Sequence, residues 1–282
     1  MIQIGNFNTL KIVRKADFGF YLDAGTGKTS DDILLPNGNT LSQELNIGDE
    51  VSAFIYRDSK DRLISTLKKP LAVVGQLAYL KVVSSTKIGS FVDFGLERDI
   101  LVPFKEKSYG LTSGKSYLFY IYLDKTQRIA ATTKIDSYLT TTDKYKIGDE
   151  VTAVIYDFQT NESAAAAVDN LYKGVILNTE YFIKIEYGDS LNLKVIKIYD
   201  DGRLGLTPRK SPKLERLNLE EEILEYLKNH DGFMKYNDKS SPQEIYDVFH
   251  QSKNYFKNAL GGLMKQGLIT QDEQGTKLKL RD

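Results

Sequence analysis

The sequence predicts a multidomain, mainly β chain: three tandem, five-stranded closed barrels followed by a small α+β domain. Three observations predict it. First, the pattern x-Arg-[Leu/Ile]-x-x-Thr-x-[Lys/Arg] occurs at 61–68, 127–134 and 202–209, with its arginines 66 and 75 residues apart. Each copy follows an Ile-Tyr pair: Ile55-Tyr56, Ile121-Tyr122 and Ile198-Tyr199. A strand, a tight polar turn and a second strand therefore recur three times, which is a hairpin signature at a repeat period. Second, two upstream marks occur twice. Gly19-Phe-Tyr-Leu-Asp-Ala-Gly25 matches Gly89-Ser-Phe-Val-Asp-Phe-Gly95, and Asp32-Ile-Leu-Leu-Pro36 matches Asp99-Ile-Leu-Val-Pro103. Third, from about residue 212 the period changes from alternation to helical spacing.

Taken in order, Ile4-Gly5-Asn6-Phe7 opens a first strand, and Gly19 starts an aromatic second strand. The run ending at Pro36 is a third, Ile47-Gly-Asp-Glu-Val51 opens a fourth, and Arg62 starts a fifth. Glycine at a bend lets a strand curl through a barrel corner. The second repeat follows the same plan from Val74-Gly75-Gln76-Leu77. In the third, Ile147-Gly-Asp-Glu-Val151 repeats the wording of 47–51, but by the arginine register it opens a first strand, not a fourth. Leu171–Leu177 and Ser190–Tyr199 follow as strands, and the Gly-x-aromatic-x-Asp and Leu-Pro marks are missing. In the tail, Leu219–Leu227 is helical, and Glu220-Glu221-Glu222 is placed in its first turn, favouring the dipole. Ser241-Pro242 caps a second helix with Ile245, Val248 and Phe249 on one face, and Ser252 caps a third that Gly267 stops. Leu268-Ile269 and Lys277–Leu280 flank a polar hairpin turn. Three helices and a terminal hairpin make a winged helix-turn-helix.

Composition excludes several classes. There is no cysteine, so disulfide scaffolds, thiolate metal sites and cysteine nucleophiles are out. His230 and His250 are the two histidines, too few for a three-histidine zinc site, and they read as surface or helix-end residues. No metal, cofactor or catalytic residue is expected. Gly27-Lys28-Thr29 invites a phosphate-loop reading, but Leu22 stands where that motif needs its first glycine, so a hairpin loop is expected. No apolar run reaches the roughly 18–20 residues of a membrane span, and the N-terminus lacks the basic head and apolar stretch of a signal peptide. A cytoplasmic location is expected. Lys+Arg and Asp+Glu are both 38, so binding to a polyanion must rest on local patches.

These residues resemble a known group. The five-strand repeats are similar to the S1 domain, an OB-fold RNA-binding module. Three of them plus a C-terminal winged helix resemble the conserved virulence factor B (CvfB, or YitL-like) family over essentially the whole chain. The twice-seen glycine-aromatic and Asp-Ile-Leu-x-Pro marks and the stretch Asn254–Ile269 carry the likeness. It implies an RNA-binding regulator without catalytic activity. It places second-strand aromatics at Phe18 and Tyr21 in the first repeat and at Ile88 and Phe91 in the second. It also implies an Asp and an Arg four apart near the last hairpin, matched by Asp58/Arg62 and Asp124/Arg128, with Asp200/Arg203 one residue closer. Many S1 domains carry a histidine after the third strand; Pro36 and Pro103 stand there instead.

Charge then sorts the modules expected at 1–70, 71–136, 137–211 and 212–282. Residues 71–134 are net +4, 135–210 net −3, 1–70 net 0 and 211–282 net −1. The second repeat, with Lys87, Arg128 and Lys134, is the best electrostatic candidate for single-stranded RNA, held by stacking aromatics and phosphate-tracking cations. The candidate RNA-binding residues are Phe18, Tyr21, Arg62, Lys87, Phe91, Arg128, Lys134, Lys253 and Lys257. Alternatives stay open at several of them. The arginines can pair with Asp58, Asp124 and Asp200; either the Tyr21/Phe91 set or the Leu22/Val92 set faces the core; and Ile-Tyr reads as barrel packing. Asp23 and Asp93 read as turn residues. Lys253, Asn254, Lys257 and Asn258 form one polar helix face, for a groove or for solvent. The expected function is a non-enzymatic, post-transcriptional RNA-binding regulator, with the ribosome or another protein as a further partner. Duplex DNA is a less favoured partner, and none is a membrane. The rivals are a DNA-binding transcriptional regulator using the winged helix and a protein-interaction scaffold.

Overall fold

A computed structural model describes residues 2–181, 184–209 and 212–279. Leu280, in the predicted terminal hairpin, lies outside them. The first barrel comprises β1 (Phe7–Ala16), β2 (Gly19–Leu22), β3 (Ile33–Pro36), β4 (Glu50–Arg57) and β5 (Leu63–Thr66). The second comprises β6 (Leu77–Thr86), β7 (Gly89–Val92), β8 (Ile100–Pro103), β9 (Ser116–Leu123) and β10 (Ile129–Thr132). The third comprises β11 (Glu150–Phe158), β12 (Ala164–Val168), β13 (Tyr172–Ile176), β14 (Ser190–Ile198) and β15 (Leu204–Thr207). All three close in the order first-second-third-fifth-fourth, and the third and fifth strands pair in parallel. Alternation does the folding work: Ile12, Leu22, Ile33 and Leu35 are fully buried, and Val82, Val92 and Val102 repeat this in the second barrel.

The corner glycines are required by geometry. Gly19 and Gly89 have φ of 157° and 156°, and a Cβ there would sit 2.3 Å and 2.2 Å from the carbonyl oxygens of Leu35 and Val102. Each first strand is bulged at the same place, between Ile12 and Arg14, Val82 and Ser84, and Ile155 and Asp157. A bulge tightens the local twist and lets a short sheet close.

The alanine-rich strand β12 carried no signal in the sequence reading, because alanine is a weak strand former. The 147–151 repeat does open a first strand: β11 pairs with β12 and β14 as β1 pairs with β2 and β4. The third Ile-Tyr pair needs correction. Leu63 and Ile129 follow hairpins in which Asp58 N–H and Asp124 N–H donate to the carbonyls of Arg62 and Arg128, whereas in the third it is Tyr199 N–H that donates to Arg203. The third hairpin keeps the same span, but its first strand is bulged between Val195 and Lys197, and the Ile-Tyr pair stands two residues nearer the arginine. Tyr199 therefore stands where Asp58 and Asp124 stand, and Ile198 is 40% exposed, not packed in the barrel as Ile55 and Ile121 are.

The tail holds α1 (Pro212–Asn229), β16 (Phe233–Met234), α2 (Pro242–Phe249), α3 (Lys253–Lys265), β17 (Ile269–Asp272) and β18 (Gly275–Leu278). Its sheet runs β16-β18-β17. Ser241 and Glu244 form a reciprocal capping box, and the Ser252 side chain caps α3. The Glu220–Glu222 run is not in a first turn: α1 begins at Pro212, and Glu220 is buried against α3.

The barrels share contacts. Phe54 of the first packs into the core of the second, 6.1 Å from Phe94. Between the second and third, Tyr109 stacks on Tyr187 at 4.1 Å, and the Tyr79 hydroxyl donates to the Gly188 carbonyl at 2.8 Å. Lys115 bridges to Glu186 and Asp189. At the junction with the tail, the Arg209 guanidinium lies 5.5 Å from the Tyr255 ring. No helix among the described residues is long and apolar enough to cross a membrane.

Candidate nucleic-acid interface

The cross-strand register defines one equivalent row on the outer face of each barrel. In the first it reads Arg14, Tyr21, Leu34 and Ile64. In the second it reads Ser84, Phe91, Leu101 and Ala130. In the third it reads Asp157, Ala165, Val175 and Gly205. The aromatic set faces outward: Leu22 and Val92 are fully buried, Tyr21 and Phe91 are half-exposed, and Phe18 and Ile88 beside them are 58% and 64% exposed.

The three rows differ chemically. The Arg14 guanidinium lies 3.7 Å from the Tyr21 ring centroid and reaches Asp32, while Phe18 meets the ring edge-on at 6.2 Å. One face of Tyr21 is thus already covered by a cation. In the second barrel Ser84 replaces Arg14, and Phe91 has no ring or cation partner among the described residues. In the third barrel Ala165 leaves no platform. Asp136 of the preceding connector accepts there from Lys173 and from the Tyr156 hydroxyl at 2.8 Å each, and Thr140 pairs with β13.

Phe91 lies in a cleft of about 430 Å³ between the first two barrels. Arg128, Arg98 and Ile88 of the second barrel line it, and Tyr56, Arg57 and Asp58 of the first face them. Sequence reasoning named Phe91 and Arg128 among its nine candidates, and the cleft contains both. It paired Arg128 with Asp124, and that needs correction: Arg128 Nε and Nη2 donate to Asp61 at 2.5 and 2.6 Å, across to the other barrel. Asp124 instead accepts from the Thr126 side chain and the backbone N–H groups of its own turn. Arg62 does pair with Asp58, at 2.7 Å. Arg203 pairs with Asp201, not Asp200, in a hairpin where Tyr199 takes the place of Asp58 and Asp124. The Arg128 side chain holds the Asp61 carboxyl below the usual carboxylate range. At Asp99 on the rim, burial and then Asp93 push the carboxyl up.

The other candidates are spread out. Lys87 is exposed beside Ile88, and Lys134 sits at the junction with the third barrel, near Glu106 and the Lys105 carbonyl. On α3, Asn254, Lys257 and Asn258 line a groove with Lys265 and with Arg216 of α1. Lys253 is separate: its ammonium reaches the Lys239 carbonyl at 3.5 Å. Sequence reasoning missed Arg14, Arg57, Arg98, Asp61, Lys265 and Arg216. Lys265 follows Lys257 at i+8 on the same face, a signal that was available; the rest join the sites only through tertiary contacts. Asp23 and Asp93 are turn residues as expected, accepting from Gly25 N–H and Gly95 N–H.

Comparison with known proteins agrees with this architecture. Residues 4–68 and 74–134 match the S1 domain, and residues 221–278 match the CvfB-like winged helix domain. The uncharacterized protein YitL of Bacillus subtilis (strain 168) is 30% identical over 280 residues, covering 95% of this chain and 91% of that one. This chain belongs to the conserved virulence factor B (YitL-like) family. Conserved virulence factor B of Staphylococcus aureus (strain N315) is 28% identical over 243 residues, 80% of this chain and 78% of its own. A solved structure from Streptococcus pneumoniae TIGR4, described as a multidomain protein with nucleic acid binding domains, superposes with a TM-score of 0.53 at 27% identity, covering 98% of both chains. The matched domains thus cover the first two barrels and the tail, and of the three equivalent rows the second barrel's alone presents an aromatic without a ring or cation partner among the described residues.

Proposed function

We propose that this member of the conserved virulence factor B family is a non-enzymatic, cytoplasmic RNA-binding protein that regulates gene expression after transcription by holding single-stranded RNA. The observation that carries the reading is the uncovered Phe91 ring on a net-positive barrel, inside a cleft that also contains Arg98 and Arg128. Unstacked bases lie on such rings, and cations beside them follow the phosphates. The S1 match and the nucleic acid binding domains named for the pneumococcal relative support it. In this reading Tyr21 and Phe18 extend the track, Arg62 and Lys87 flank it, and Lys134 lies further along. The groove with Lys257 adds phosphate contacts, and Lys253 adds one outside it. The modules 1–70, 71–136, 137–211 and 212–282 are the proposed units.

A second reading has its own support. The α3 groove, with Arg216, Lys257 and Lys265, would suit duplex DNA. Binding of labelled single-stranded RNA, single-stranded DNA and duplex DNA at two salt concentrations separates the two. RNA preference with clear salt dependence, lost in a Tyr21→Ala/Phe91→Ala/Arg128→Ala variant, is the expected result. Duplex DNA preference that survives the triple substitution sinks the RNA reading. No binding to any of the three leaves a protein-interaction scaffold.

A further inference from the structure

Three features of the cleft between the first two barrels stay unexplained by a single-barrel surface. The cleft's volume of about 430 Å³ falls in the range of about 300–1,000 Å³ typical of small-ligand pockets. Phe91 supplies one wall, and the facing wall comes from the other barrel, through Tyr56 and Arg57. At the edge, the fork of Arg128 is filled by the Asp61 carboxylate across the gap. A carboxylate held two-pronged by a guanidinium occupies the geometry of a phosphate.

We propose that the cleft is a composite nucleotide subsite built by two barrels. One base of single-stranded RNA lies on Phe91, facing the Tyr56–Arg62 hairpin, and its phosphate displaces Asp61 from Arg128. This inference rests on the RNA-binding reading above and deepens it by naming the position and the competitor. Asp61 belongs to the turn of the first barrel's last hairpin, with φ of 61°, and its neighbour Arg57 donates to its carbonyl. The hairpin is thereby anchored, and the anion is presented to the second barrel. Without ligand the ion pair closes the cleft edge and keeps Arg128 neutralised. With ligand the same arginine turns to the phosphate. Stacking is tolerant of base identity, so the subsite selects single-stranded character over sequence.

The test uses the full chain and a single-stranded RNA of about ten nucleotides carrying one 4-thiouridine, a length suited to tandem barrels. Affinities of wild type, Asp61→Asn, Arg128→Gln, Asp61→Asn/Arg128→Gln and Phe91→Ala are measured over a salt series. Photo-crosslinks on wild type are mapped by mass spectrometry. Asp61→Asn is expected to tighten binding about 2- to 5-fold, the size of an exposed ion pair. It should also steepen the log–log salt slope by about 0.7. In the Arg128→Gln background the same change should do nothing. Phe91→Ala should weaken binding about 5- to 150-fold. Crosslinks should fall both on the peptide holding Phe91 and on the 56–62 hairpin. Unchanged or weaker binding by Asp61→Asn, or crosslinks that never reach 56–62, overturns the composite subsite while the RNA-binding reading stands. Absence of RNA binding overturns both.

Discussion

At the scale of single residues, the first two barrels carry the same mark and offer different surfaces. Tyr21 and Phe91 occupy equivalent register positions, but Arg14 covers Tyr21 at 3.7 Å and Ser84 leaves Phe91 open. A base must displace that guanidinium to reach the near face of Tyr21. Tyr21→Ala is therefore expected to cost RNA affinity less than Phe91→Ala, and Arg14→Ser should narrow the gap; anisotropy titrations with one RNA check both. The glycine-aromatic motif was legible as a motif because glycine and aromatic types are printed in the sequence. The covering cation was not, since Arg14 meets Tyr21 only through a bulged cross-strand register. Gly89 makes a separate prediction. A Cβ at φ 156° would lie 2.2 Å from the Val102 carbonyl oxygen. Gly89→Ala should lower stability by about 1–3 kcal/mol, read from denaturant unfolding.

At the scale of elements, α3 tests how a helix is fixed against its neighbour. Gly261 and Gly262 are adjacent in the same helix. A Cβ on Gly261 meets nothing within 4 Å, so Gly261→Ala should stabilise by up to about 1 kcal/mol through helix propensity. A Cβ on Gly262 would fall 1.9 Å from Glu220 Oε1. Glu220 is only 4% exposed, pairs with Arg216 at 3.3 Å and accepts from Gln266 at 2.9 Å. Gly262→Ala must push a buried carboxylate off these partners and should cost about 1–3 kcal/mol. Opposite signs at neighbouring glycines, measured by thermal melting, are the expected result; equal signs would show that Glu220 moves freely. The caps at Ser241 and Ser252 were legible, because capping is local chemistry within four residues. The burial of Glu220 was not: the start of α1 and the helix that packs on it both lie outside any local window. The shifted third Ile-Tyr pair was hidden for a related reason, since a bulge changes register without changing the repeated residue types.

At the scale of the whole molecule, the barrel junctions are the structural variable. Tyr109 stacks on Tyr187 across the second junction, with its hydroxyl buried and unpartnered. Removing an unsatisfied buried hydroxyl returns its desolvation cost, so Tyr109→Phe should raise stability by about 1 kcal/mol. Acid should act on these junctions too. Lys184 and then Lys115 lower the Glu186 carboxyl to about 2, and Arg128 lowers that of Asp61. A depressed carboxylate stabilises the fold above its unfolded value, about 4.3 for Glu and 3.9 for Asp, and loses that contribution as pH falls through its folded value. The melting temperature should therefore fall between about pH 4.5 and 2. Lys115→Met should reduce the part of the drop that comes from Glu186.

The sequence by itself determined the number of barrels, the succession of strands along the first two, the helix caps and the aromatic positions, because each follows from residue type in a repeated or local pattern. It also pointed to the second barrel, through charge. The tertiary structure decided which aromatic is uncovered, that Arg128 reaches Asp61 and not Asp124, and that the cleft has walls from two barrels. It also decided that the third barrel's row is occupied by its own connector. These depend on bulged registers and on how folded modules abut. No local pattern encodes such contacts, since residues 67 apart, such as Asp61 and Arg128, meet only after both hairpins have closed.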